Sequence, residues 1–284
     1  MRSRNFAFVF IIFSLFLALS SCLIFPARKP AVEILSGFTA GKELNNTFGL
    51  LSWNIHKESG RLRFERDFMD IIDAYSPEFV LLQEFQTFSV ISPALNENCG
   101  KGYIFARNFH YQGRELSSGL LICSDAAPDE YFAMLSEAKE PFAGTPKIAL
   151  IVRYKIKNSA DTLLLINIHC INFMPGTKEY EAQLESIAEI AKCHRGPLIW
   201  AGDFNSWSAE REKVLLTVTA ELELSEVNFG WEEKRVKSFF EHRLDRIFYN
   251  RYLSVVSGSA DVLEQYASSD HRALYCRFVI NHGP

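Results

Sequence analysis

Apolar residues run almost unbroken over positions 6–25, interrupted only by Ser14, Ser20, Ser21 and Cys22. A stretch apolar on every side leaves no polar face for water, so it does not read as a surface helix. Beyond position 48 the pattern changes to short apolar runs alternating with segments of helical period. The runs at 49–55 (GLLSWNI), 79–83 (FVLLQ), 119–123, 148–154 and 162–169 predict buried strands, and 198–201 (LIWA), 246–249 and 274–280 predict three more. Phe64, Phe68, Ile71, Ile72 and Tyr75 fall on one helical face that Pro77 ends, and Tyr180, Leu184, Ile187, Ala188 and Ala191 mark a second helix closed by Gly196-Pro197. A third helix is expected over 209–219, with Ser208 as its N-cap. Strands and amphipathic helices mixed without a break predict one layered α/β domain over 48–284, preceded by a linker over 31–47.

The N-terminal run is flanked by Arg2 and Arg4 before and by Arg28 and Lys29 after, and positions 1–30 contain no Asp or Glu. A basic region, an apolar core and the small-residue site Leu19-Ser20-Ser21-Cys22 read as a secretory leader, with Cys22 as the lipidated residue of a lipoprotein. The alternative is an uncleaved anchor, because about 20 apolar residues suffice to span a bilayer. Either way the chain is expected to be membrane-attached through its N-terminus. Export would place the domain in the periplasm or another extracytoplasmic space, with the cytoplasmic face as the alternative.

Setting that segment aside changes the charge. Its four charged residues are all basic, so positions 31–284 hold 26 Lys and Arg against 34 Asp and Glu, a formal −8. An acidic body gains little from non-specific attraction to a phosphate backbone, which disfavours an avid nucleic-acid binder but not a nuclease with a local site. Aromatic content of 13% with 24 Phe excludes a disordered chain. The cysteines show no zinc spacing, and Cys170, next to His169, is sent to the opposite face by strand alternation.

Polar residues recur directly after apolar runs: Asn54, Gln83-Glu84, Asn167 and His169, Asp203 and Asn205, with Asp245 and Ser269-Asp270-His271 beside the late strands. Any one of them could be a cap or a turn. Together, leaving a sheet at one rim, they would converge into a concave polar cluster.

The ordered set Trp53-Asn54, Gln83-Glu84, Ser118-Gly119, Asn167-x-His169, Gly202-Asp203-Phe204-Asn205, Leu244-Asp245 and Ser269-Asp270-His271 resembles the endonuclease/exonuclease/phosphatase (DNase I-like) superfamily. INIHCINF, GPLIWAGDFNSWS and LDRIFYNRYLSV followed by SSDH are similar to its bacterial YafD-like branch. The resemblance implies a four-layer sandwich, two mixed β-sheets face to face with helices outside, and a site at one end. It also implies Mg²⁺, with Mn²⁺ as a substitute. The oxygen donors of Asn54 and Glu84 suit such a hard cation independently. By the same resemblance Glu84, Asn54 and Asp270 serve the metal, and Asp203 and Asn205 orient the attacking water and a phosphate oxygen. His271, oriented by Asp245, acts as base or phosphate donor, and His169 stabilises the transition-state oxygens or protonates the leaving group. A histidine at 169 sides with DNase I-like nucleases, sphingomyelinases and 5-phosphatases.

The expected function is therefore metal-dependent hydrolysis of a phosphate ester by a monomeric domain. The substrate is a nucleic acid or, as an alternative, a phospholipid head group or phosphoinositide. A binding protein that kept the fold without turnover is the competing class. Lys57 reads equally as a phosphate-facing cation or a solvated strand-end residue.

Overall fold

The computed structural model describes residues 24–87, 101–111, 116–141 and 143–281; the expected leader and Cys22 lie outside them. In chain order the elements are β1 (Ile24–Ser36), β2 (Thr47–Asn54), α1 (Leu62–Tyr75), β3 (Phe79–Thr87), β4 (Gly102–Tyr111), β5 (Ser117–Ser124), β6 (Pro128–Lys139), β7 (Pro146–Lys155) and β8 (Thr162–His169). There follow α2 (Lys178–Cys193), β9 (Leu198–Asp203), α3 (Ala209–Glu221), β10 (Ser225–Glu226), a 3-10 turn at Gly230–Arg235, β11 (Ser238–Phe239), β12 (His242–Arg243), β13 (Asp245–Tyr249), β14 (Leu253–Val255), β15 (Asp261–Leu263) and β16 (Ala273–Ile280).

The strands form an eight-stranded sheet in the order β1-β4-β5-β3-β2-β16-β14, with β15 also on β16, and a six-stranded sheet in the order β10-β13-β9-β8-β7-β6. Both are mixed: β2 pairs parallel with β3, and β8 with β9, whereas the other pairs are antiparallel. The inner faces meet in one apolar layer that includes Leu50, Leu81, Ile122, Leu150, Leu165, Ile199 and Ile247. The outer face of the first sheet packs on Phe64, Phe68 and Ile71 of α1. That of the second packs on Tyr180, Leu184 and Ile187 of α2 and Leu215 and Val218 of α3. This is the expected four-layer α/β sandwich.

Strand alternation decides what reaches the site. Along β8, Leu163 and Leu165 fill the inner layer, and Asn167 and His169 continue the same row to the strand end. On β9 the row is Ile199, Ala201, Asp203; on β2 it is Leu50, Ser52, Asn54. Cys170 faces the helical layer instead, buried with Trp200 and Tyr180. Where the inward rows turn from apolar to polar, the core ends and a cavity begins. The predicted helices are all present, and the Ser208 hydroxyl caps α3 by accepting from Arg211 N at 3.3 Å.

The expected linker at 31–47 belongs to the domain. β1 runs through it to Ser36, with Val32 and Leu35 packing on opposite faces, and Leu44 is buried with backbone bonds to Lys155 and Lys157. Its glycines and polar residues suggested a tether, but three or four apolar side chains suffice to fasten an edge strand. Among the described residues no helix is long and apolar enough to cross a membrane.

Gly202 shows why the turn into the site has no side chain. Its φ is +140°, and a Cβ there would lie 2.1 Å from the Ile168 carbonyl oxygen on the neighbouring strand. Gly202→Ala is expected to cost on the order of 3 kcal/mol, read as a lowered urea midpoint with unchanged slope.

Candidate active site

Glu84 reaches the cavity through a break in β3. Leu82 and Phe85 pack outward, so regular alternation would also turn Glu84 away from the inner face. Instead Glu84 has φ +56°, and the β3–β5 register slips between Leu82 and Phe85. This bulge re-aims the carboxylate, a common device next to active sites. Gln83 beside it turns into the core, where its Nε2 donates to Asn167 Oδ1 at 2.8 Å. Asn167 in turn donates to the Leu82 and Leu121 carbonyls. That pair ties the two sheets together beneath the site.

A cavity of about 380 Å³ opens at this end, and its lining includes Lys57, Glu84, Tyr111, Lys147, His169, Asp203, Asn205 and His271. Asp203 is its hub: Oδ2 accepts from Asn54 Nδ2 at 2.8 Å and lies 3.5 Å from His169 Nε2, while Oδ1 accepts from the Asn205 backbone at 2.9 Å. The Asn205 amide donates to the Cys170 carbonyl. Asn54 and Asp245 stand buried behind the lining. Asp245 Oδ2 binds His271 Nδ1 at 2.7 Å, which fixes the ring and leaves Nε2 for the cavity. Ser269 braces this corner by donating to the Asn54 carbonyl and accepting from His271 N. Asp270 sits apart, half-exposed at the rim, bound to Lys237 at 2.8 Å and 4.0 Å from His271 Nε2.

The two histidines are driven in opposite directions. Burial, reinforced by Lys147, pushes His169 down to about 4. Burial opposes charge on His271 as well, but Asp245, with Asp203 and Asp270, lifts it to about 9. At neutral pH His169 is therefore uncharged and His271 is an imidazolium. Burial would raise Glu84, yet Lys57, His169, Lys147 and His56 outweigh it and hold the carboxyl well below its usual range. Asp203 is raised, chiefly by burial. For Asp270 the burial effect is outweighed by the hydrogen bond from Lys237, and its carboxyl is lowered.

Lys147 was not among the sequence candidates. Its Nζ lies 3.0 Å from His169 Nε2 and 3.3 Å from Glu140 Oε1. An ammonium only donates, so His169 Nε2 accepts and the ring proton sits on Nδ1. Lys57 is a site residue too, with Nζ 3.4 Å from Glu84 Oε2, and Glu84 holds its ammonium charged by raising its pKa. Arg211, also unforeseen, is fully buried between the Tyr180 and Trp207 rings and donates to the Ile171 and Asn205 carbonyls, fastening the loops after His169 and Asp203.

The donors suit a divalent cation. Asp245 Oδ1 is buried without a hydrogen bond and Glu84 Oε2 is answered only by the Lys57 ammonium at 3.4 Å, an arrangement that favours a facing positive charge. One ligand atom each of Asp203, Asp245 and His271 lies within 4.8 Å of the others. Backbone strain gathers at the same end: of ten non-glycine residues with positive φ among those described, His56, Lys57, Glu84, Phe173, Asn205, Phe240 and Glu241 are here.

Two face-to-face sheets with helices outside and a polar cavity at one end define a DNase I-like sandwich. The model of the Endonuclease/Exonuclease/phosphatase family matches residues 51–271, and the chain belongs to that family. A UPF0294 protein of Vibrio campbellii is 33% identical over 234 residues, 82% of this chain and 77% of that protein, which agrees with the YafD-like resemblance. The fold also matches an endonuclease/exonuclease/phosphatase from Beutenbergia cavernae, with TM-score 0.65 and 17% identity over 84% of this chain and 72% of that one. The human Nocturnin catalytic domain with bound sulfate anion gives TM-score 0.59 and 20% identity over 84% and 96%. The family spans nucleases and phosphatases, which share hydrolysis of phosphate esters.

Proposed function

We propose that the chain is a divalent-metal-dependent phosphodiesterase, attached to a membrane by its N-terminal segment with a monomeric, extracytoplasmic catalytic domain. The observation that carries the chemistry is a buried Asp203 beside an Asp245-held His271 imidazolium in a cavity that two lysines also line. Glu84, with Asn54 behind it, would hold Mg²⁺ or Mn²⁺, which supplies positive charge to the phosphate oxygens.

Asp203 orients a water for attack on phosphorus and accepts its proton, a role its burial-raised pKa favours. His271 Nε2 donates to a phosphoryl oxygen, and the charge on that oxygen grows as the water adds. The phosphorus–oxygen bond to the leaving group breaks opposite the water. That oxygen takes its proton from Lys147 Nζ, which His169 Nε2 holds in place at 3.0 Å. Asn205 ties the turn after Asp203 to the segment after His169.

The purified full chain is expected to hydrolyse bis-p-nitrophenyl phosphate with Mg²⁺ or Mn²⁺ and to stop when a chelator is added. Absence of metal-dependent turnover on this diester, and equally on plasmid DNA, RNA, sphingomyelin and phosphoinositides, would assign the chain to binding instead.

A further inference from the structure

Large apolar side chains stand exposed around the cavity mouth. Leu62, the first residue of α1, is 83% exposed, and Phe240, at the tip of the β11–β12 hairpin, is 69% exposed. Phe239 and Phe173 are about half exposed. All four sit on loops or element ends at the cavity end. α1 starts after β2 leaves Asn54, Phe173 follows His169, and the hairpin leads into Asp245. The hairpin tip also carries strain. Phe240 and Glu241 have φ of +48° and +68°, the two central positions of a turn that normally takes Asn-Gly. A phenylalanine held there is a backbone outlier, and it presents its ring to solvent with the Phe239 ring edge-on to it, centroids 4.4 Å apart.

The N-terminal segment arrives at the same end. Ile24 pairs with Tyr111, which lines the cavity, and β1 then runs away from it towards Ser36. Across β4 and β5, Phe25 is level with Thr87 at the cavity end of β3, three strand spacings, about 15 Å, away. The apolar run that begins at position 6 meets β1 with no polar linker between them. A bilayer holding that run would face the cavity mouth. Arg61 and Arg63 lie exposed on either side of Leu62, suitably placed for head-group phosphates.

We infer that the cavity end is a membrane-docking face. Leu62, Phe173 and the Phe239–Phe240 hairpin seat in the head-group region of a lipid bilayer, and the cavity opens onto the phosphoester plane. Docking stands on the surface alone; that lipid phosphodiesters are the substrate rests on the hydrolase reading above.

The test uses the full chain reconstituted into vesicles of phosphatidylethanolamine and phosphatidylglycerol. Tryptophan is introduced by Phe240→Trp or, on the outer helical layer, by Leu216→Trp, and the parent emission is subtracted. Lipids brominated near the head group are expected to quench the residue 240 signal roughly two-fold and to leave the residue 216 signal unchanged. An unquenched signal at 240 overturns docking. In a second arm, Phe239→Ser with Phe240→Ser is expected to slow hydrolysis of vesicle phospholipid roughly ten-fold while turnover of bis-p-nitrophenyl phosphate stays constant. Vesicle hydrolysis unaffected by the pair, or loss of single-stranded DNA cleavage in its place, overturns the lipid-substrate reading. A parent chain inactive on the soluble diester overturns the hydrolase reading alone, and quenching still decides docking.

Discussion

Glu84→Gln is expected to lower hydrolysis of a soluble phosphodiester by about 10²–10³-fold while the domain stays folded. The substitution keeps the size and shape of the side chain, so the bulge that turns residue 84 into the cavity survives. What disappears is one negative charge, against which Lys57 and Lys147 are poised. With a neutral amide the lysines lose their partner, and the buried oxygen that lacks a hydrogen bond no longer draws a cation. Two readouts separate these effects. Calorimetric titration with Mg²⁺ or Mn²⁺ should show weakened binding to the variant, and the far-ultraviolet circular dichroism should match the parent. Full activity with undiminished metal binding would remove Glu84 from the site and leave Asp203, Asp245 and His271 as the cation cluster.

Glu84 also marks where the sequence alone stops being legible. The inward rows that end in Asn54, His169 and Asp203 follow from two-residue alternation, so their convergence could be read from the strands. Alternation places Glu84 with Leu82 on the outer face, and only the bulge reverses it. Local pattern carries no signal for that, and the resemblance to known site motifs did. Lys147 escaped for a different reason. Attention to polar residues after apolar runs finds the ends of strands that point at the cavity, but β7 runs antiparallel to β8 and brings its start there. The polar residue before the run IALIV at 148–152 is the corresponding signal. Three long strands are not predicted, the buried β4 and the edge strands β1 and β6; much of β6 faces solvent, and its mixed pattern fits neither period. Long ladders to β4 and β7 hold the edge strands, and local sequence records that pairing poorly.

Asp245→Asn should destabilise the protein by about 3 kcal/mol near pH 6 and by little near pH 9.5. His271 is buried, and its pKa rises from 6.5 to about 9 against the burial penalty, principally because Asp245 lies 2.7 Å from Nδ1. The folded state thus holds this proton more tightly than the unfolded chain. The stabilisation is complete below pH 6.5, falls to about half near pH 8, and vanishes as pH rises through about 9. An asparagine can still accept from the ring nitrogen but brings no charge, so burial would then pull His271 below its ordinary value. Urea denaturation at both pH values reads the difference directly, and a destabilisation equal at both would reduce the pair to a steric contact. The same proton sets the rate profile. If His271 donates to the phosphoryl oxygen, activity of the parent falls as pH rises through about 9, and in Asp245→Asn that alkaline limb moves down by two pH units or more. His169, already neutral across this range, adds no limb of its own, so the shift belongs to the Asp245–His271 pair.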